Sequence, residues 1–223
     1  MPDRGSPFFR RLVAWLTVVV ILKVTAAVAS NYWLYFPPDF SSDFLRNREA
    51  YFFGPYRVAF IAHLVGSPLA ILLGLLLMAP WLRRNWPRWH RWLGRVQAIN
   101  VLAVVAPSGL WMSAYTATGP VAAAAFATLS LATGATIALG WRAAVRRRFA
   151  DHEVWMTRNF LLLSAAIVLR VACGFASVVG LTWTSFDAVV SWAAWLVPLA
   201  VYELIRRPKS RLGHVTAPRP SIS

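Results

Sequence analysis

The sequence predicts an all-α protein, an integral membrane bundle of six transmembrane helices. Hydrophobic residues make up 58% of the 223-residue chain and charged residues 14%, whereas soluble domains have about 45–50% and about 25%. The apolar residues form long blocks, each near the ~20 residues that cross the hydrocarbon core of a bilayer. Most arginines cluster between these blocks. One membrane-embedded bundle, with no soluble domain attached, follows from these observations.

Each predicted helix is placed by an apolar block and by the residues that bound it. Basic residues precede helix 1, Pro80 ends helix 2, and Pro87 suits the first position of helix 3. A tight turn at Thr118-Gly119-Pro120 separates helices 3 and 4, and Asp151 is a candidate N-cap before helix 5. The six predicted helices cover Leu12–Tyr35, Val58–Ala79, Pro87–Thr116, Val121–Trp141, Asn159–Leu181 and Ala188–Ile205.

This arrangement divides the chain into three parts. We expect a cytoplasmic N-terminal segment (1–11), a transmembrane domain (12–205) and a disordered cytoplasmic tail (206–223) that contains His214. The only cysteine, Cys173, lies in predicted helix 5, so no disulfide can form within the chain.

The orientation follows from the distribution of lysine and arginine between the two ends of the bundle. The N-terminus, the 81–95 segment, the 142–158 segment and the tail together carry 18 of these residues, against three on the other side. Cytoplasmic loops carry the excess of positive charge, so both termini are predicted in the cytoplasm of a bacterium, with the bundle in its inner membrane. The same clustering makes the lipid bilayer the expected partner and argues against nucleic acid.

The N-terminal block has a second interpretation. Arg10-Arg11, an apolar run and Ala27-Val28-Ala29 before Ser30 resemble a signal peptide with its cleavage site. Lys23 and the apolar residues beyond it favour a retained helix. Cleavage would leave helices 2–6 in the same orientation.

Three side chains form a predicted polar layer within the membrane. Lys23 and Arg170 each lie eleven residues into a helix, about 17 Å from the cytoplasmic boundary, and His63 enters helix 2 from the other side at a similar depth. Ionisable residues in a bilayer usually face the bundle interior and mark functional sites, so this layer is a candidate anion-binding site. The structural alternative is that Lys23 extends toward the interface and that Arg170 is satisfied locally.

Helix 2 contains features expected to shape its packing beside His63. Gly66, Ala70 and Gly74 form a stripe of small residues on which another helix can approach closely. Pro68 removes a helical hydrogen bond and crowds the carbonyl group of Leu64, so we expect a bend there.

A second candidate site lies at the cytoplasmic end. His90 and His152 occupy the first turns of helices 3 and 5, where neighbouring arginines and the helix termini favour neutral imidazoles. Two facing neutral histidines could ligate a b-type haem, with Arg158 available to its carboxylate groups; alternatively, both contact lipid head groups. Glu203, near the end of helix 6, is expected to pair with Arg158 or with the 146–148 arginines.

Several motifs together resemble one known family. The segments are His152-Glu153-Val154-Trp155-Met156-Thr157-Arg158, His90-Arg91-Trp92-Leu93-Gly94-Arg95, and Trp195-Leu196-Val197-Pro198 with Glu203-Leu204-Ile205. They are similar to motifs of a bacterial family of predicted membrane proteins, domain of unknown function 2306, over about residues 59–206. The chain departs from the family at Met78-Ala79-Pro80, where a Gly-Pro-Gln group is common, and at Leu199, where an Asn is common. The resemblance implies a multi-helix inner-membrane protein without an established activity.

Three hypotheses about function remain open. The first is a membrane redox protein with b-type haem or a quinone. The second is a transporter or small-molecule binder that uses the Lys23, His63 and Arg170 layer. The third is a structural or regulatory membrane protein. The sequence contains no phosphate-binding glycine loop, HExxH or GxSxG motif, so it identifies no catalytic residue and no metal site.

Overall fold

The computed structural model describes residues 7–42, 44–181 and 185–206, and no β-strand occurs among them. The predicted tail after Arg206, His214 and the first six residues lie outside the described residues. Short 3-10 and π-helical turns at Tyr32–Leu34, Phe52–Tyr56 and Val101–Val105 extend or join the α-helices. The α-helices are α1 (Pro7–Ala29), α2 (Glu49–Tyr51), α3 (Arg57–Met78), α4 (Pro80–Asn85), α5 (Pro87–Asn100), α6 (Ala106–Ser113), α7 (Pro120–Val145), α8 (Phe149–Leu163), α9 (Ala165–Val179) and α10 (Phe186–Arg206).

Among the described residues, six helical stretches are long and apolar enough to cross a membrane, as the sequence predicts. They are named first to sixth span in chain order: Arg11–Leu34, Glu49–Met78, Pro87–Ser113, Pro120–Val145, Phe149–Val179 and Phe186–Arg206. The fifth span contacts the first, second, fourth and sixth spans, and the third span packs between the second and the fourth. The end that carries the 81–95 and 142–148 arginines is called the basic end, and the end that carries the 36–48 loop is called the aromatic end.

The fifth span departs most from the prediction. Its helix begins at Phe149, not near Asn159, and Arg148 rather than Asp151 occupies the N-cap. Asp151 lies in the first turn, where its carboxylate accepts a hydrogen bond of 2.7 Å from Arg148 Nε. The apolar run in the sequence indicates only the part of the helix that lies in hydrocarbon. The helix itself can begin well before that run. The span also breaks at Ser164, which separates α8 from α9 and has no apparent sequence signal.

Tyr32 satisfies the backbone carbonyl that Pro68 leaves without a helical partner. Pro68 has no N–H to donate to the carbonyl group of Leu64, and the Tyr32 hydroxyl donates to that oxygen instead, at 2.8 Å. The hydrogen bond joins the aromatic end of the first span to the second span. Both residues also line the central cavity described below.

The predicted small-residue stripe mediates contact between the second and third spans. A Cβ atom built on Gly66 would lie 2.8 Å from Val104 Cγ1 and 3.2 Å from Asn100 Oδ1. The buried Asn100 donates from Nδ2 to the carbonyl oxygen of Gly66 at 2.9 Å, and Gln97 Nε2 donates likewise to Ala70. The absence of a side chain at Gly66 therefore permits both the close approach and the hydrogen bond.

An aromatic cluster closes the aromatic end. Its buried members are Leu45, Phe52, Tyr56 and Phe60, and further rings from the 36–48 loop pack around them. Arg48 joins the loop to two spans, because its guanidinium donates to the Phe44 carbonyl, the Tyr56 hydroxyl and the Tyr115 carbonyl at 2.6–3.0 Å. The loop is thus a packed part of the fold.

Candidate functional site: a cavity in the aromatic half of the bundle

A cavity of about 590 Å³ lies among the spans, on the aromatic side of the bundle centre. Its volume lies within the 300–1,000 Å³ typical of small-molecule sites. Aromatic side chains, including Tyr32, Tyr35, Phe44 and Phe60, contribute to its wall. His63 and Arg170, two members of the predicted layer, also line it.

An isoleucine cluster supports a ring of polar groups in this cavity. Ile21, Ile71 and Ile167 pack together from the first, second and fifth spans. Thr25, Ser67 and Arg170 each lie three or four residues, about 4.5–6 Å, closer to the aromatic end on the same three spans, and all three line the cavity. The three polar side chains therefore lie at one level, and they are called the polar ring.

Two hydroxyl groups of the polar ring lack a hydrogen-bond partner. Thr25 Oγ1 and Ser67 Oγ are enclosed and contact no donor or acceptor in the part of the chain that the structure describes. Buried hydroxyls are almost always paired, and leaving one unpaired costs about 1–3 kcal/mol. A ligand or ordered water that bonds to them would remove this cost.

Arg170 brings an unbalanced positive charge to the same level. Its one hydrogen bond to a described residue is a long, exposed contact of 3.3 Å from Nη1 to the carbonyl oxygen of Ala166. Within residues 7–42, 44–181 and 185–206, no carboxylate forms an ion pair with it. Asp187 also lines the cavity, but it is not paired with the guanidinium. Burial raises the pKa of the Tyr35 phenol, while the nearby Arg170 charge opposes that effect.

His63 presents one free nitrogen beside the polar ring. Ser108 Oγ donates its hydrogen to the Val104 carbonyl at 2.6 Å, so its 3.0 Å contact with His63 Nδ1 requires the imidazole to donate. Nδ1 then carries the hydrogen of the neutral ring and Nε2 carries the lone pair. The Val105 backbone carbonyl also accepts a hydrogen bond from this imidazole, and because a neutral ring has one N–H, that bond also involves Nδ1. His63 lines the cavity. His63 can therefore accept a hydrogen bond from a molecule in the cavity.

Lys23 is not part of this site, which corrects the predicted three-residue layer. Lys23 and Arg170 are both exposed, but only Arg170 lines the cavity. Two residues along a helix correspond to a rotation of about 200°, so Lys23 faces away from the bundle when Ile21 faces into it. The depth of a residue along a helix does not specify which face of the helix it occupies.

At the basic end, Glu203 pairs with Arg158, as the sequence predicts. Arg158 Nε donates to Glu203 Oε1 at 2.6 Å, and the Arg158 guanidinium also stacks over the Trp155 ring, 4.5 Å from its centroid. Arg206 contacts the other carboxylate oxygen at 3.4 Å. The pair joins the fifth and sixth spans, so a structural role accounts for both residues.

His90 and His152 lie near each other at the basic end, close enough to interact electrostatically. The carbonyl oxygen of Gly140 lies 2.9 Å from His152 Nδ1, and because a carbonyl only accepts, Nδ1 carries the hydrogen and Nε2 the lone pair. His90 Nδ1 is enclosed and has no hydrogen-bond partner among the residues that the structure describes. No group of three or more His, Cys, Asp or Glu side chains that could hold a metal ion occurs in the described ranges.

Several residues of the cavity have no distinctive signal in the sequence. Thr25 and Ser67 are hydroxyl residues of a kind that often bonds its own helix, and only their neighbours reveal that they lack partners. In the sequence, Arg48 is one of the three basic residues on the less basic side of the chain, which gives no indication of its contacts. The proximity of its side chain to Tyr56 and Tyr115 depends on tertiary structure.

The fold and the cavity define a polytopic α-helical membrane protein with an internal small-molecule-sized site. The chain belongs to the family described as Predicted membrane protein (DUF2306), which matches residues 60–206. That range includes His63, His90, His152 and Arg170, but not Thr25 on the first span. No curated protein and no solved structure matches the chain.

Proposed function

We propose that this protein binds, inside the membrane, a small molecule with an apolar or aromatic body and an anionic group. The observation that carries the proposal is Arg170, which pairs with no carboxylate among the described residues, in a cavity that also contains two hydroxyls unpaired within that part of the chain. A guanidinium in a low-dielectric environment is costly unless an anion compensates it. A carboxylate on the ligand would supply that charge.

The other groups of the cavity suit the same ligand. Thr25 and Ser67 can each donate a hydrogen bond to an anionic oxygen, and such charge-assisted bonds are the stronger ones. His63 Nε2 accepts rather than donates, so it suits a hydroxyl or amide group elsewhere on the ligand. Aromatic walls favour stacking or edge contacts with a planar body.

Binding of 2-naphthoate, compared with its neutral analogue 2-naphthamide, tests this proposal. In purified protein in nanodiscs, we expect the carboxylate to bind more tightly than the amide. Arg170→Gln should weaken naphthoate binding about tenfold or more, because a hydrogen bond to a charged group contributes about 1.5–3 kcal/mol. Isothermal titration calorimetry measures both ligands.

Lys23→Gln is the matched control for this experiment, since it removes a membrane cation that does not line the cavity. It should leave naphthoate affinity unchanged. Equal affinity for the acid and the amide, or equal loss in both variants, would contradict anion recognition by Arg170.

A b-type haem at the basic end is a second candidate, supported by the two histidines. A site with only two protein ligands suits haem, because the porphyrin supplies the remaining four nitrogens to the iron. His152 is oriented through its Nδ1 hydrogen bond to Gly140, as metal-ligating histidines usually are. His90 Nδ1 is an enclosed atom that would gain a partner. Bound haem would supply one-electron chemistry, and His90 and His152 would be the residues that hold it.

The visible spectrum of protein expressed with sufficient haem tests the second candidate. We expect a Soret band that shifts on dithionite reduction and is lost in His90→Ala and His152→Ala. His63→Ala is the control, because His63 lies in the aromatic half of the bundle, and it should retain the band. A colourless wild-type protein would eliminate haem and leave the cavity proposal unaffected.

We also propose that the protein lies in a bacterial inner membrane with its basic end in the cytoplasm. The uneven distribution of lysine and arginine supports this orientation. A reporter fused after Ser223 should behave as cytoplasmic and one inserted at Pro38 as external. The opposite pattern would overturn the orientation.

A further inference from the structure

Arginine and tryptophan side chains form one exposed surface on α4 and on the first turns of α5, at the basic end. All of them are exposed, and two ring pairs, Trp81 with Trp86 and Trp89 with Trp92, pack together within it. The members of this surface, called the Arg/Trp surface, are Trp81, Arg83, Arg84, Trp86, Arg88, Trp89, Arg91, Trp92 and Arg95.

No acidic side chain nearby in sequence balances the charge of the Arg/Trp surface. The sequence contains no Asp or Glu between Glu49 and Asp151. Asp151, the first acid that follows, already pairs with Arg148. Among the described residues, none of these five arginines forms an ion pair with an acidic side chain.

A pocket of about 340 Å³ opens on this surface, lined by Arg88, Trp89 and Trp92. The two indole rings meet edge to face with their centroids 5.8 Å apart, and Arg88 contributes the charge. The pocket therefore combines a cation for a phosphate oxygen with aromatic faces for a glycerol backbone or the upper part of an acyl chain.

We propose that this pocket binds the headgroup of an anionic phospholipid. Tryptophan is enriched where a membrane protein meets the headgroup layer, and basic pockets at the ends of transmembrane helices bind anionic lipid headgroups. An anionic lipid covers the exposed indoles and neutralises the arginines together. The phosphodiester contacts Arg88, and the acyl chains run along Trp89 and Trp92.

The test is native mass spectrometry of the full chain in detergent, titrated with dioctanoyl phosphatidylglycerol and, separately, dioctanoyl phosphatidylcholine. We expect at least fivefold tighter binding of phosphatidylglycerol. Arg88→Gln should weaken it about fivefold, the usual effect of removing one basic residue at a membrane surface. Arg88→Lys keeps the charge and should retain most of the affinity. Comparison of the two variants therefore distinguishes loss of the charge in the pocket from unfolding of the protein.

Arg146→Gln is the matched control, since Arg146 is an exposed arginine at the same end but outside the pocket. It should leave phosphatidylglycerol binding unchanged, as should Arg170→Gln, because the two sites are independent. Equal affinity for the two lipids, an equal loss in Arg146→Gln, or no loss in Arg88→Gln would overturn the proposal. Full displacement of the lipid by millimolar inorganic phosphate would assign the pocket to soluble phosphate instead and would also overturn it.

Discussion

Gly66→Ala is expected to destabilise the protein by about 1–3 kcal/mol, the usual cost of overpacking a close contact. The added methyl group would lie 2.8 Å from Val104 Cγ1 and 3.2 Å from Asn100 Oδ1. Val104 is β-branched and has little freedom to rotate away. Asn100 is held by its hydrogen bond to the Gly66 carbonyl, so relieving the clash also strains that bond. Thermal unfolding in detergent measures the effect.

Gly94→Ala provides the control for this measurement. Gly94 also lies in a helix, but nothing lies within 4 Å of the position its Cβ would take. Alanine at an open helical position stabilises by about 0.5–1 kcal/mol relative to glycine. The two substitutions should therefore change the unfolding temperature in opposite directions. Similar shifts in both variants would refute the close packing of the second and third spans at Gly66.

Arg48→Ala is expected to cost about 3 kcal/mol, the upper value for loss of a hydrogen bond to a charged group. The guanidinium makes three hydrogen bonds and lies over two aromatic rings, at 4.7 Å from the Phe44 centroid and 5.8 Å from that of Tyr56. Its removal disconnects the 36–48 loop from the second and third spans. Protease sensitivity of that loop, together with thermal unfolding, reports the loss.

Arg57→Ala serves as the comparison for Arg48→Ala. Arg57 is exposed at the same end of the bundle and lies 5.9 Å from the Phe53 centroid. Exposed cation–π contacts contribute about 0.5–1 kcal/mol, so this variant should unfold close to wild type and keep a resistant loop. Equal protease sensitivity in the two variants would mean that Arg48 does not anchor the loop.

The bundle was predictable because its largest energetic term, burial of apolar surface in lipid, is encoded locally. Runs of apolar residues located all six spans, and Pro87 located the start of α5. The small-residue stripe at Gly66 also predicted a close helix contact. The role of Pro68 was predicted only in part, since the sequence indicates a carbonyl without a helical partner but not that Tyr32 would satisfy it.

The cavity was less predictable, because it depends on which faces of separate helices meet. Lys23 and Arg170 are predicted to lie at a similar depth in the membrane, which suggests one shared site. The rotation of α1 about its axis, however, places Thr25 in the cavity and Lys23 outside it. The hydroxyls of Thr25 and Ser67 are recognised as candidate ligand-binding groups only because the described residues around them offer no hydrogen-bond partner. A single sequence gives depth along each helix but not the rotation of one helix relative to another.

The length of the fifth span has a consequence for chemical access. Its 31 residues would extend about 46 Å as an ideal helix, whereas ~20 residues suffice to cross the hydrocarbon. Counted from Val179, those 20 residues end at Phe160, so we expect His152 and Arg158 to stand beyond the hydrocarbon, at the level of the lipid headgroups. Arg170 lies within the 20 residues. We therefore expect a water-soluble reactant to approach the histidine pair from the basic end, while a molecule bound for the cavity enters between the spans or past residues 115–118 at the aromatic end.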